Sequence, residues 1–225
     1  LELLRTRHQE DPTVQAFASG SRADVEETCC RPKTVGIECG GQARFRSTVH
    51  PTMHRVQPGG MPTNELLDRV AYGKKVGAEY VYLLGGEPAE RDDLASVLEA
   101  ASFAQWISMQ SSGHALADPA CVARLSAAGL RGVTLLLYTL DETIHETVFG
   151  EAGAGLLHTA LDALARSPLE VDARLVVMPE TIDGLEALAA ELKRRGIEVG
   201  EVCTTDPALD ARVRAVGFDP IPAAP

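Results

Sequence analysis

The chain has 225 residues, 45% of them hydrophobic, which is enough for one large α/β domain or two small ones. Its formal net charge of −11 excludes the basic surface that nucleic acids and anionic membranes require, so we expect neither partner. No apolar run is long enough to span a membrane and residues 1–30 lack the apolar centre of a signal peptide, so we expect a cytoplasmic protein.

Strand-like and helix-like segments alternate from Thr34 onward. Residues 1–33 precede this pattern and predict a helical extension of one or two short helices. The strands are predicted at residues 34–38, 80–84, 106–109, 133–138, 171–178 and 197–203. Helices are predicted at 63–77, from Leu94 to Ala101, from Pro119 to Gly129, at 154–165 and around Leu185 to Leu192.

Two helices are defined by clear patterns. Apolar residues recur at i, i+3, i+4 and i+7 from Leu94 to Ala101, which gives that helix one apolar face. In the next helix, Asp118 suits the N-cap, Pro119 the first turn and Gly129 the C-terminal stop. Residues 206–225 fit one short helix and a Pro/Ala tail.

Six strands alternating with helices predict a parallel sheet that is covered by helices on its outer side. Two architectures satisfy this order: an open doubly wound sheet and a closed or partial βα barrel. In both, ligands bind in the loops at the carboxyl ends of the strands, so the candidate site is sought there.

The second strand ends at such a position in Gly85-Gly86-Glu87-Pro88. Glycines permit positive φ and a close approach of the backbone to a ligand, and Glu87 offers a carboxylate to a cation. Pro88 directs the chain into the next helix. A tight turn without any ligand would explain the tetrapeptide alone about as well.

The surrounding sequence resembles the radical S-adenosylmethionine (radical SAM) family. The resemblance rests on MPTNELLDRVAYGKKVGAEYVYLLGGEPAERDDLASVLEAA (61–101), QSSGHAL (110–116) and YTLDETIHETVFG (138–150), the last being similar to peptide-maturing members. It covers residues 34–203 and implies a (β/α)6 partial TIM barrel over 34–205, with SAM as a cofactor. The remaining residues, 206–225, would form a C-terminal helix and tail.

The same resemblance implies the roles of individual residues. The turn of Gly85, Gly86, Glu87 and Pro88 would hold the methionyl end of SAM, and Ser111 with Ser112 would meet its ribose or carboxylate. The similarity to peptide-maturing members implies a peptide substrate or a partner maturation enzyme.

The chain departs from the family in the segment after the first strand. Radical SAM enzymes carry CxxxCxxC there, and the three thiolates hold three irons of a [4Fe–4S] cluster. Here the segment is ECGGQARFRSTVHPTMH (38–54), in which Cys39 takes the first position and Ala43 and Arg46 take the other two. Because alanine and arginine do not ligate iron, we expect no [4Fe–4S] cluster.

Other ligands in this segment remain open. His50 and His54 are spaced i, i+4 and could form a zinc or iron trio with Cys39, although surface histidines in loops are also common. Arg46 could instead pair with the carboxylate of SAM in a bidentate geometry.

Four functions are compatible with these residues. The first is a cluster-deficient radical SAM-like domain that binds SAM, a peptide or a partner as a scaffold. The second is a SAM-dependent enzyme of polar group transfer, and the third is a radical enzyme with unusual cluster ligation. The fourth is an ordinary βα barrel in which the GGEP turn binds nothing.

Overall fold

The computed structural model describes residues 33–40 and 60–222. The predicted N-terminal helices, and the candidate residues Arg46, His50 and His54, lie outside the described residues and remain predictions.

Seven parallel strands form one curled sheet whose spatial order follows the chain, from β1 to β7. The strands are β1 Thr34–Glu38, β2 Tyr80–Leu84, β3 Trp106–Ser111, β4 Gly132–Leu137, β5 Glu170–Val177, β6 Glu198–Thr204 and β7 Pro220–Pro222. The sheet is a half-barrel flanked by helices, so the predicted partial TIM barrel is confirmed.

The helices follow the strands in the expected alternation. They are α1 Thr63–Lys75, α2 Leu94–Ala100, α3 Pro119–Ala127, α4 Glu142–Phe149, α5 Ala154–Ala165, α6 Leu185–Arg194 and α7 Asp210–Ala215. Helix α3 begins as predicted, because Asp118 accepts a hydrogen bond from the backbone N–H of Ala120 and Pro119 occupies the first turn.

The two faces of the sheet differ in composition. On the convex face, alternate strand residues such as Val81, Met109 and Leu135 pack with the helices in the main core. The concave face carries polar side chains midway along the strands, among them Tyr82, Gln110 and Arg174. The concave face is therefore the one that can receive a polar ligand.

The structure adds two elements that the sequence did not predict. Helix α4 packs its buried Val148 and Phe149 against Leu136 and Val176, which lie on the concave side of β4 and β5. Strand β7 pairs with β6, so residues 206–225 contain a strand as well as the predicted helix.

Within the parts of the chain that the structure describes, no helix is both long enough and apolar enough to cross a bilayer.

Candidate functional site at the carboxyl-terminal rim

The GGEP turn lies at the carboxyl end of β2, as predicted. It is therefore on the rim of the half-barrel, the edge formed by the carboxyl ends of the parallel strands. Gly85 and Gly86 have φ values of 81° and 61°, a conformation that favours glycine, and both are partly exposed. A Cβ built on Gly85 would lie 2.6 Å from Cγ of Glu38 at the end of β1. Glycine is therefore required at position 85 by a neighbouring strand, independently of any ligand.

Glu87 joins the ends of β2 and β3. Its side chain is 1% exposed. Its Oε1 accepts hydrogen bonds from Ser111 Oγ (2.8 Å) and the N–H of Ala89 (3.2 Å), and its Oε2 accepts one from the N–H of Ser112 (2.7 Å). Burial raises the pKa of the Glu87 carboxyl, while these hydrogen bonds act in the opposite direction.

Ser111 and Ser112 are thus brought together with Glu87. Ser112 Oγ also lies 2.6 Å from Glu87 Oε2, and Ser111 Oγ accepts a hydrogen bond from the N–H of Gly113. Both serines are buried. Their hydroxyls form hydrogen bonds with Glu87 within the chain. Any contact with SAM remains a prediction.

Two histidines extend this network to α4. His114 Nδ1 lies 3.1 Å from Ser112 Oγ, and His114 Nε2 lies 2.8 Å from Nε2 of His145. His145 Nδ1 lies 2.9 Å from the carbonyl oxygen of Glu151. The Phe149 ring packs on the His145 ring with centroids 4.5 Å apart. A continuous buried chain of polar contacts therefore runs from the GGEP turn to the segment after α4.

Arg91 holds the two ends of the segment that follows β1. Its guanidinium donates to the carbonyl oxygens of Cys39 (2.9 Å) and Met61 (3.0 Å), and it forms a bidentate pair with Asp93. The hydrogen bonds from Arg91 lower the pKa of Asp93. Gly40 closes the same junction, since a Cβ on it would lie 2.9 Å from the backbone nitrogen of Met61.

Cys39 lies at this junction and is fully buried. Its Sγ has a weak contact with the carbonyl oxygen of Ile37 at 3.7 Å, and burial raises its pKa to about 12. Cys39 is therefore a protonated thiol at neutral pH. Within residues 33–40 and 60–222, no group of three or more His, Cys, Asp or Glu side chains is placed to hold a metal ion.

Below the rim, the concave face contains a polar cavity of about 360 Å³. It is lined by Tyr82, Thr134, Asp172, Arg174 and Glu201, among others. Arg174 pairs with Glu201 at 2.5 Å, yet its buried Nε has no partner among the described residues. The cavity is thus lined by hydroxyl, carboxylate and guanidinium groups, which suit a polar ligand.

Sequence reasoning identified the GGEP turn and the two serines but missed Arg91. The signal available for Arg91 was its position in the sequence, as a cation in the acidic stretch four residues after Glu87. In the structure it pairs with Asp93 of that stretch. Its contacts with Cys39 and Met61 could not be derived from sequence spacing, because the pairing of β1 with β2 brings those residues together.

Comparison with known proteins gives similarity at the level of structure. No protein-family model matches the chain, and no curated protein matches it in sequence. SuiB from Streptococcus suis, bound to S-adenosylmethionine, superposes with a TM-score of 0.68 at 11% identity over 99% of this chain and 61% of SuiB. SuiB bound to its precursor peptide SuiA gives 0.65 at 12% identity, over 94% and 54%.

A third similar structure is that of TsrM from Kitasatospora setae, a radical SAM methyltransferase with tryptophan and a SAM analogue bound. It superposes with a TM-score of 0.56 at 11% identity over 82% of this chain and 37% of TsrM. The chain thus spans less than two thirds of the length of these proteins. With a half-barrel of parallel strands and a GGEP turn on its rim, the chain has the fold of the radical SAM core domain.

Proposed function

We propose that this chain is a radical SAM-like domain without a catalytic [4Fe–4S] cluster, and that it is a scaffold that binds SAM, a peptide or a partner enzyme. The observation that carries the proposal is the set of residues at the CxxxCxxC positions, where Cys39 is the one thiol beside Ala43 and Arg46. The described part of the rim, from the GGEP turn to Ser112, is nevertheless held together by Glu87.

The donor set does not fit the cluster. A [4Fe–4S] cluster needs thiolates on three irons, because thiolates are soft anionic ligands. Ala43 and Arg46 supply none, and the single thiol of Cys39 could ligate only one iron. A metal held by Cys39 with His50 and His54 remains a prediction, because both histidines lie outside the described residues.

Other features support a binding role. Gly85 and Gly86 present partly exposed backbone at the rim, where a ligand can approach closely. The cavity beneath is lined by hydroxyl, carboxylate and guanidinium groups that suit a polar ligand. SuiB, which has the same fold, binds SAM and a precursor peptide, and these are the ligand classes that we propose here.

The first test measures iron and sulfide. The protein is purified anaerobically, reconstituted with iron and sulfide, and analysed beside a Cys39→Ser variant. We expect the same low iron content in both proteins. About four irons with matching sulfide per chain, lost in the variant, would contradict the proposal, because that is the content of a cysteine-held [4Fe–4S] cluster.

The second measurement is the affinity for SAM by calorimetry. If the turn cradles SAM, Gly86→Ala should weaken binding by about tenfold, because it distorts a left-handed backbone next to the ligand. Gly77→Ala is the matched control: Gly77 also has positive φ (75°), but it precedes β2, at the opposite end of the barrel.

If Gly86→Ala and Gly77→Ala changed the affinity for SAM equally, the placement of SAM at the turn would be wrong. Binding without product supports the scaffold. Transfer of a labelled methyl or aminocarboxypropyl group from SAM would instead establish the polar transferase, in which Arg46 pairs with the SAM carboxylate.

A further inference from the structure

Successive polar contacts join Glu87 to the carbonyl oxygen of Glu151 through Ser112, His114 and His145. The hydrogen atoms that these contacts require can be counted. Each contact needs one hydrogen between its two heavy atoms. At the far end, the carbonyl oxygen of Glu151 can only accept, so His145 Nδ1 carries a hydrogen. A neutral His145 therefore presents a lone pair at Nε2.

The contact between the two Nε2 atoms fixes the next hydrogen. At 2.8 Å two lone pairs would repel each other, so one hydrogen lies between His114 Nε2 and His145 Nε2. If His145 is neutral, that hydrogen belongs to His114. The ring of His114 then has two options at its other nitrogen.

In the first option, His114 is neutral and its Nδ1 accepts the hydroxyl hydrogen of Ser112. The 2.6 Å contact between Ser112 Oγ and Glu87 Oε2 must then be bridged by a hydrogen on the carboxyl, so Glu87 is a neutral acid. Every contact in the chain is satisfied, and the network carries no charge.

In the second option, His114 Nδ1 carries a hydrogen and donates it to Ser112 Oγ, while the Ser112 hydroxyl donates to an ionised Glu87. The histidine pair then holds one positive charge and Glu87 one negative charge. Both options contain one proton more than an ionised glutamate with two neutral imidazoles, and they differ only in where that proton lies.

Among the described residues, burial and hydrogen bonding act on the position of the proton in opposite directions. Glu87, His114 and His145 are all buried, which disfavours the charge-separated state. Against this, Glu87 receives hydrogen bonds from Ser111 Oγ and from the backbone N–H groups of Ala89 and Ser112, which favour its ionised form. Cys121 on α3 is a nearby titratable group on which the charge of Glu87 also acts.

We propose that Glu87, Ser112, His114 and His145 form a buried proton relay that holds one exchangeable proton and carries it between the GGEP turn and the histidine pair. The proton moves by two coupled transfers, from Glu87 Oε2 to Ser112 Oγ and from Ser112 Oγ to His114 Nδ1. The net charge of the relay stays at zero, but a dipole appears across the rim.

The test is nitrogen NMR of the protein with ¹⁵N-labelled histidine. We expect a far-downfield proton coupled to the Nε2 nitrogens of the pair, a protonated Nδ1 on His145, and a His114 Nδ1 shift between the protonated and unprotonated values. Glu87→Gln, two contacts away from His114, should move that Nδ1 shift to the unprotonated value, because glutamine cannot exchange the proton.

Ser111→Ala is the graded counterpart. It removes a hydrogen bond that favours the ionised form of Glu87, so the His114 Nδ1 shift should move part of the way towards the unprotonated value. An unchanged Nδ1 shift in Glu87→Gln would overturn the proposal. So would a wild-type spectrum without the shared proton, including one in which metal analysis finds zinc between the two rings. The wild-type spectrum decides this point even if a variant does not fold.

Discussion

At the scale of single residues, the GGEP turn shows that the same residue can be favoured either by a ligand or by contacts within the chain. The sequence assigned both glycines of GGEP to the approach of a ligand. The structure gives Gly85 an internal reason, since Cγ of Glu38 occupies the space where its Cβ would lie. Glu87 likewise accepts hydrogen bonds from within the chain, although its carboxylate was expected to face a cation.

Gly85→Ala should therefore destabilise the protein without any ligand present. We expect a loss of about 2 kcal/mol in the free energy of unfolding, from the left-handed backbone and the contact with Glu38 together. The measurement is urea denaturation. Adding Glu38→Ala should restore only the part caused by the contact.

Gly155→Ala in α5 is the control for that experiment, since a Cβ there meets nothing within 4 Å and alanine favours a helix. It should leave stability unchanged or raise it. If Gly85→Ala were as mild as Gly155→Ala, the internal reason for Gly85 would be wrong.

At the scale of elements, periodicity predicted most strands and helices because their apolar residues recur at regular intervals. Helix α4 was missed because Thr143, Ile144, Thr147 and Val148 are β-branched and disfavour helix. Its ends stabilise it: Asp141 accepts a hydrogen bond from the N–H of Ile144, and Gly150 ends the helix with a φ of 80°.

Strand β7 was missed for a different reason. Pro220 and Pro222 lack backbone N–H groups, and proline is tolerated in a strand only at an edge. The sequence shows the prolines but not the edge. The relay was equally hidden, because Glu87, Ser112, His114 and His145 meet only once three strand ends are side by side.

Arg91 adds a side-chain contact between the β1 and β2 units to the backbone pairing of the two strands. Arg91→Lys keeps the charge but loses the planar fork that reaches Cys39, Met61 and Asp93 together. We expect a loss of about 2–3 kcal/mol in the free energy of unfolding, measured with urea, because buried carbonyl oxygens lose their donor.

Arg69→Lys is its counterpart on the surface. Arg69 pairs with Glu65 on α1, and both side chains are substantially exposed. The change should stay within about 0.5 kcal/mol. Similar losses in both variants would mean that Arg91 acts as an ordinary surface cation.

At the scale of the whole molecule, the net charge of −11 produces a repulsion that destabilises the folded state, whereas local ion pairs attract. Arg212 and Asp183 form an exposed pair, which contributes little, whereas Arg195 pairs with Asp162 and Glu191 through a largely buried side chain. We expect the thermal midpoint to rise when NaCl is increased from about 10 mM to about 150 mM, because salt screens the net repulsion. A falling midpoint in calorimetry would show that the ion pairs dominate.

The contacts of Arg91 with Cys39 and Met61 have a consequence for the evolution of the sequence. Because Gly40 and Met61 are in contact and one guanidinium binds the carbonyl oxygens of Cys39 and Met61, the segment 41–59 starts and ends at fixed anchor points. These contacts use the backbone oxygens of Cys39 and Met61, so they do not depend on which side chains stand between the two anchors. This gives a physical route by which a chain could exchange two cysteines for other residues and keep the junction.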